Sequence, residues 1–98
     1  MSLIAITKFE AVTEDAGEVL GRHNALVDAV RASIPGLTEA RLGRVGENQW
    51  AGVWRWESAD DLKAARELAP TLAETKAAFA LVREGTSAVD EIELLEER

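Results

Sequence analysis

One histidine and a closely spaced set of tryptophans are the residues best equipped for chemistry. His23 is the sole histidine of the chain. Its imidazole, with an ordinary pKa of about 6.5, can take or give a proton near neutral pH. Trp50, Gly52, Trp54 and Trp56 alternate with Ala51, Val53 and Arg55. On an extended chain that period of two puts all three indoles on one face. Gly52 leaves a gap between them, and a glycine inside a strand often marks a close approach by another group. A flat aromatic ligand can stack in such a gap; the plainer alternative is that the indoles supply core bulk. Arg44 and Arg55 can meet an anionic group or stabilise a developing phenolate, or simply form surface ion pairs. Glu91 and Glu93 point the same way on an extended segment, where a solvated edge is expected. The chain has no cysteine, so neither a disulfide nor a thiolate metal site can form. No nucleophile triad, phosphate loop, zinc spacing or dinucleotide fingerprint occurs. The expectation is a protein without metal, flavin or haem.

Composition narrows the class. The 98 residues fit one domain, taken as 1–98. A chain this short leaves about a third of its unfolded surface exposed after folding, so burying more of it against a second copy is favourable. The net charge is −7 and the basic residues are not clustered, which argues against nucleic acid and against anionic membrane surfaces. The N-terminal residues lack the basic segment and cleavage site of a signal peptide. No apolar run reaches the length of a membrane span. A cytoplasmic protein is expected.

The chemistry-bearing residues need elements to hold them. Leu3–Phe9 reads as a strand. Thr13 is placed to cap a helix whose apolar residues, Ala16, Val19, Leu20, His23, Leu26, Val27, Val30 and Ile34, recur at steps of three and four. That helix runs to about Ser33 and stops at Pro35-Gly36. His23 falls mid-stripe, facing the sheet or a cavity above it; the plain alternative is a hydrogen-bonded core histidine, because a polar ring there must find a partner. Leu37–Val45 reads as a second strand with Thr38, Ala40, Leu42 and Arg44 on one side. Gly46-Glu47-Asn48 forms a hairpin loop and Gln49–Glu57 a third strand. Ser58-Ala59-Asp60-Asp61 starts a second helix that Pro70 interrupts. Thr71–Glu84 continues it with Leu72, Thr75, Phe79 and Val82 on one stripe, ended by Gly85. Ser87–Leu95 is the last strand, and Leu95–Arg98 a frayed tail.

The order β-α-β-β-α-β is the ferredoxin-like split arrangement. Right-handed crossovers place both helices on one face of a four-stranded antiparallel sheet. The other face then leaves apolar side chains wet, so a homodimer through that face is expected.

Two segments carry a family likeness: Ile34-Pro35-Gly36-Leu37, and Trp54-Arg55-Trp56-Glu57-Ser58 with Asp60 to Ala64. A Pro-Gly turn before the second strand and a third strand ending in Trp-Glu-Ser resemble the antibiotic biosynthesis monooxygenase domain, within the dimeric α+β barrel superfamily. The resemblance covers nearly the whole chain in element order and about twenty residues in motif. It implies a substrate cavity between sheet and helices, sheet-to-sheet dimers, and oxidation of phenolic or quinol-like compounds by dioxygen without metal or flavin. Trp56 matches a tryptophan that several active members keep at that strand end. Haem-degrading relatives carry an asparagine on the first strand, where this chain has Ile6 or Thr7, and a histidine near the second helix, where it has none.

The reading these points support is a cofactor-independent monooxygenase acting on a small aromatic compound. His23 and Trp56 are its catalytic candidates; Trp50, Trp54, Arg44 and Phe79 are its substrate-binding candidates. Deprotonating a phenol at His23 would raise its electron density toward dioxygen. The alternatives are a non-catalytic barrel that binds a small apolar ligand, and an isomerase or cyclase on the same fold. The enzyme readings require a solvent-reachable cavity lined by His23 and the tryptophans; the others allow those residues to pack shut.

Overall fold

The computed structural model describes residues 2–98. Strand β1 (Leu3–Glu10) leads to helix α1 (Ala16–Ser33), and the hairpin β2 (Leu37–Arg44) and β3 (Gln49–Trp56) follows. Helix α2 (Ala59–Leu68), a 3-10 turn at Ala69–Thr71, helix α3 (Ala73–Phe79) and strand β4 (Ala88–Glu93) complete the chain. The sheet order is β2-β3-β1-β4 and every pairing is antiparallel. This is the expected β-α-β-β-α-β fold, with the helix pair broken into three pieces at Pro70. Among the described residues, no helix is long and apolar enough to cross a membrane.

Local chemistry sets the boundaries. Asp15, not Thr13, is the N-cap of α1: its Oδ1 accepts from Glu18 N at 3.2 Å, while Thr13 Oγ1 accepts from Asp15 N at 3.1 Å. Thr13 thus orients the cap instead of serving as it. Ser58 caps α2 by accepting from Asp61 N, and its hydroxyl donates to Asp61 Oδ2 at 2.9 Å. The Asp61 carboxylate lies directly over Gly36, where an added Cβ would sit 2.1 Å from Oδ2. Glycine in the Pro-Gly turn is what allows α2 to start so close to the entry of β2.

Three expectations need correction. Thr38 does not share a side with Ala40 and Leu42. Leu37 pairs with Trp56 and Glu39 with Arg55, so β2 holds one extra residue there. The bulge turns Leu37 into the core, 1% exposed, and aims Thr38 at Arg55 on the opposite face. The helix expected over Thr71–Glu84 is only Ala73–Phe79. Beyond it Leu81 is buried, Val82 bridges Ala11, and Arg83 N donates to Glu10 O at 2.7 Å. Pairing with the end of β1 wins over further helix, and Gly85, at φ 80°, sits in the turn that returns the chain to β4, not at a helix end. The tail is not frayed at Glu97, whose carboxylate holds Arg55 through bonds of 2.8 and 2.9 Å. That contact raises the Arg55 pKa and lowers that of Glu97.

All three helices cover one sheet face. The helix-facing positions are Ala5, Thr7 and Phe9 on β1, Ala40 and Leu42 on β2, and Trp50, Gly52, Trp54 and Trp56 on β3. The opposite face carries Ile4, Ile6, Val53 and Ile92, the last 42% exposed. The core is in two parts. One gathers Val27, Val30, Ile34, Leu37, Trp56 and Ala65; the other gathers Ala11, Val19, Trp50 and Leu81.

Candidate functional site

The gap between the two core clusters is a cavity of about 310 Å³. Its existence follows from side-chain size. Ala5, Thr7 and Gly52 form its floor, at helix-facing positions where Thr7 pairs with Gly52 and Ala5 with Trp54. Three small residues at the centre of a sheet leave a hollow that the helices bridge. Trp54 and Trp56 rise from β3 on one side, and Val19, His23, Leu26 and Val30 descend from α1. Gly52 is not a point of close approach by protein: the nearest atoms to an added Cβ, Leu42 Cδ1 and Trp54 Nε1, lie at 3.8 Å. The gap belongs to the cavity.

The mouth lies between the edge strand and the second pair of helices, where the lining residues Arg66, Phe79, Ser87, Val89 and Glu91 are exposed. Arg66 on α2 and Glu91 on β4 form an ion pair between these two elements. Glu91 therefore lies on the cavity rim as well as on the exposed edge expected for it and Glu93, because β4 presents that side to the helices. Arg22, the other lining arginine, is held by Ala77 O at 2.7 Å and Glu18 Oε1 at 2.9 Å.

His23 is half-buried and its imidazole meets Trp54. Trp54 Nε1 donates to His23 Nε2 at 3.0 Å, with the rings edge to face at a centroid distance of 5.7 Å. An indole N–H can only donate, so Nε2 must carry the lone pair and Nδ1 the proton. Nδ1 in turn lies 3.3 Å from Asn24 Oδ1. Burial lowers the His23 pKa below its ordinary value, against a smaller upward pull from Asn24. The bond from Trp54 acts in the same direction as burial, because an imidazolium would set two donors face to face. His23 is thus a neutral imidazole with a basic nitrogen in an apolar cavity.

The other candidates divide. Trp56, 2% exposed, forms cavity wall; its Nε1 is enclosed and has no hydrogen-bond partner among the described residues. The Trp54 and Trp56 rings lie 6.1 Å apart, tilted by 49°. Phe79 stands at the mouth, 52% exposed. Trp50 shares the face of β3 but lies outside this cavity, packed with Val19 and Leu81 in the second cluster. Arg44 is also outside, stacked over the Trp50 ring at 4.9 Å. Thr75, on α3, lines the cavity with its Oγ1 enclosed and without a partner among the described residues. The floor residues Ala5 and Thr7 and the rim residues Arg66 and Glu91 are missing from the sequence-based set. The floor had a signal: small side chains at every second position of β1, alternating with Ile4 and Ile6. Among the described residues, no group of three or more His, Asp or Glu side chains converges as a metal site would require.

What this site can do is defined by its few polar atoms. It has room for a compact apolar molecule beside an imidazole and an indole N–H that are hydrogen-bonded to each other. No family model matches the sequence, and no curated protein matches it. Solved structures do. The chain resembles SnoaB, a cofactor-independent oxygenase from Streptomyces nogalater, at 18% identity over 98% of this chain and 95% of that one, with a TM-score of 0.77. It resembles a candidate antibiotic biosynthesis monooxygenase from Caulobacter crescentus at 20% identity over 97% and 91%, TM-score 0.73. A dimeric ferredoxin-like protein of unknown function from Jannaschia matches at 20% identity over 96% and 100%, TM-score 0.65. At these identities the likeness establishes the fold, that of the antibiotic biosynthesis monooxygenases and dimeric ferredoxin-like proteins.

Proposed function

We propose that this chain, built on the fold it shares with SnoaB, is a cofactor-independent monooxygenase for a small, largely apolar hydroxyaromatic compound. The observation that carries the reading is the neutral His23 imidazole on the wall of an apolar cavity large enough for such a molecule, its Nε2 accepting from Trp54 Nε1 there. His23 takes the hydroxyl proton. The phenolate that results is electron-rich at the ring carbon opposite, and dioxygen is the oxidant. In the overall reaction a ring C–H becomes C=O, the phenol becomes a quinone, one oxygen atom enters the product and the other leaves as water. Trp54, Trp56 and Phe79 bound the aromatic ligand, while Trp50 and Arg44 brace the far end of β3. The chain works as a homodimer through the face bearing Ile4, Ile6, Val53 and Ile92, a reading supported by the dimeric Jannaschia protein.

The test is oxygen uptake by purified, chelator-treated protein given 1-naphthol. Uptake that disappears in His23→Ala supports the reading. Uptake that appears only after metal or flavin is added overturns it. A second reading, ligand binding without turnover, is favoured by one observation: the Nε2 lone pair is already taken by Trp54.

A further inference from the structure

The bond between Trp54 and His23 raises a chemical question about what can enter the site. The nitrogen that would act as a base is already a hydrogen-bond acceptor, at 3.0 Å from Trp54 Nε1. A ligand must displace that bond to reach the base, which leaves the indole N–H needing an acceptor in a mainly apolar cavity. A ligand atom that only accepts serves the indole and leaves Nε2 unpaired. One that only donates serves Nε2 and orphans the indole. A hydroxyl oxygen does both from one atom.

We propose that Trp54 and His23 together form a receptor for a single neutral hydroxyl, which inserts between them, accepting from Trp54 Nε1 and donating to His23 Nε2. This rests on the reading of His23 as the base and deepens it by giving Trp54 a polar role in place of a purely stacking one. Two ordinary hydrogen bonds of about 2.8 Å meeting at a near-tetrahedral oxygen separate the nitrogens by about 4.6 Å. The two rings must therefore part by roughly 1.6 Å relative to the 3.0 Å seen here, and both face the cavity, where there is room. Of the other polar groups of the lining, Trp56 Nε1 and Thr75 Oγ1 have no partner among the described residues, and neither is hydrogen-bonded to His23 Nε2 as Trp54 is. Arg22 is bound to Ala77 O and Glu18, and Arg66 and Glu91 are paired with each other.

The arrangement also fits the proton transfer. The ligand O–H bond breaks and an N–H bond forms at Nε2, giving an imidazolium whose Nδ1–H already points at Asn24 Oδ1. The oxygen keeps the electron pair and the negative charge, and the Trp54 N–H, already bonded to it, becomes a charge-assisted donor to that anion. Trp54 thus holds the resting lone pair, recognises the incoming oxygen and steadies the phenolate. Aryl ethers and phenolates, which cannot donate, are rejected.

The experiment compares 1-naphthol with 1-methoxynaphthalene by anaerobic calorimetric titration, so that binding is read without turnover. Wild type is expected to favour the naphthol by at least about tenfold, since the ether leaves Nε2 unpaired. The preference should fall to near unity in His23→Ala, where the indole N–H serves either oxygen equally, and should persist in Trp54→Phe, where Nε2 still accepts only from the naphthol. Equal affinities in wild type would overturn the hydroxyl receptor while leaving the cavity and its proposed reaction standing. Failure of both compounds to bind would overturn the receptor and that reaction together. A preference that survives His23→Ala would remove His23 from the receptor, and a Trp54 indole N–H resonance unmoved by the naphthol would remove Trp54. Wild type with 15N-labelled histidine gives a second readout that needs no variant. The Nε2 resonance should move toward that of a protonated nitrogen with the naphthol and toward that of an unpaired nitrogen with the ether, and an Nε2 signal indifferent to both would overturn the proposal.

Discussion

Replacing His23 by alanine separates a ring that lines a void from a ring that fills a core. The structure gives the terms. One hydrogen bond, from Trp54 at 3.0 Å, is lost, worth about 1 kcal/mol net. The bond to Asn24 is exposed and adds little. Alanine regains up to about 0.7 kcal/mol of helix propensity at this interior position of α1. No new cavity term arises, because the ring borders a hollow of about 310 Å³ that already reaches solvent. The sum is a loss between about 0 and 1 kcal/mol, or a fall in Tm of at most roughly 4–8 °C for a domain of this size. A packed core ring would instead cost about 3–5 kcal/mol, as large aromatic-to-alanine changes do. Urea unfolding at one fixed protein concentration measures the difference, the concentration being held because a dimer's stability depends on it. A loss above about 3 kcal/mol would mean that the imidazole fills a packed core and does not line a void.

Three further outcomes follow from the same geometry. The lowered His23 pKa means that the unfolded chain binds a proton that the folded chain does not, between the ordinary value of 6.5 and the depressed native one. Stability from this group is therefore full above pH 6.5 and is lost as pH falls through that window. Unfolding curves of wild type and His23→Ala should converge on acidification, and a constant gap would contradict the assignment. Gly52→Val places a branched side chain on the cavity floor, where even its Cβ meets only ordinary contacts at 3.8 Å; naphthol affinity should drop at least about tenfold with stability kept or raised, and unchanged binding by titration would count against the cavity as the ligand site. Ile6→Glu puts a carboxylate at the centre of the uncovered face, opposite Val53. Wild type should sediment at twice the 10.6 kDa chain mass and the variant at once that mass, whereas a dimeric variant would move the interface elsewhere.

Much of this was legible in the residues because it depends on short-range patterns. The period of two in Trp50–Trp56 and the three-four spacing from Val19 to Val30 fixed which faces meet, and His23 does reach Trp54. The Ser58 cap and the Pro35-Gly36 turn act within a few residues of themselves. The misreadings concern competition between distant segments. Leu81 and Val82 leave the helical pattern because the end of β1 offers them a partner 70 residues away in sequence. The bulge at Thr38 is set by how Leu37 packs beside Trp56, which no local pattern records. The split of the tryptophans has the same origin. All three share a face, yet Gly52, Ala5 and Thr7 open the hollow beside Trp54 and Trp56 while Val19 and Leu81 close over Trp50. A cavity is a sum over several elements of what each leaves unfilled, so its floor is visible only once the strands are in register.

In the proposed reaction dioxygen itself attacks a ligand deprotonated in this cavity. Turnover of 1-naphthol under 18O-labelled dioxygen, with no metal or flavin added, tests it most directly by the mass of the quinone formed. One labelled oxygen per quinone, the second label in water and no labelled product from His23→Ala are expected. Quinone that carries no label, or that forms equally with His23→Ala, would contradict it.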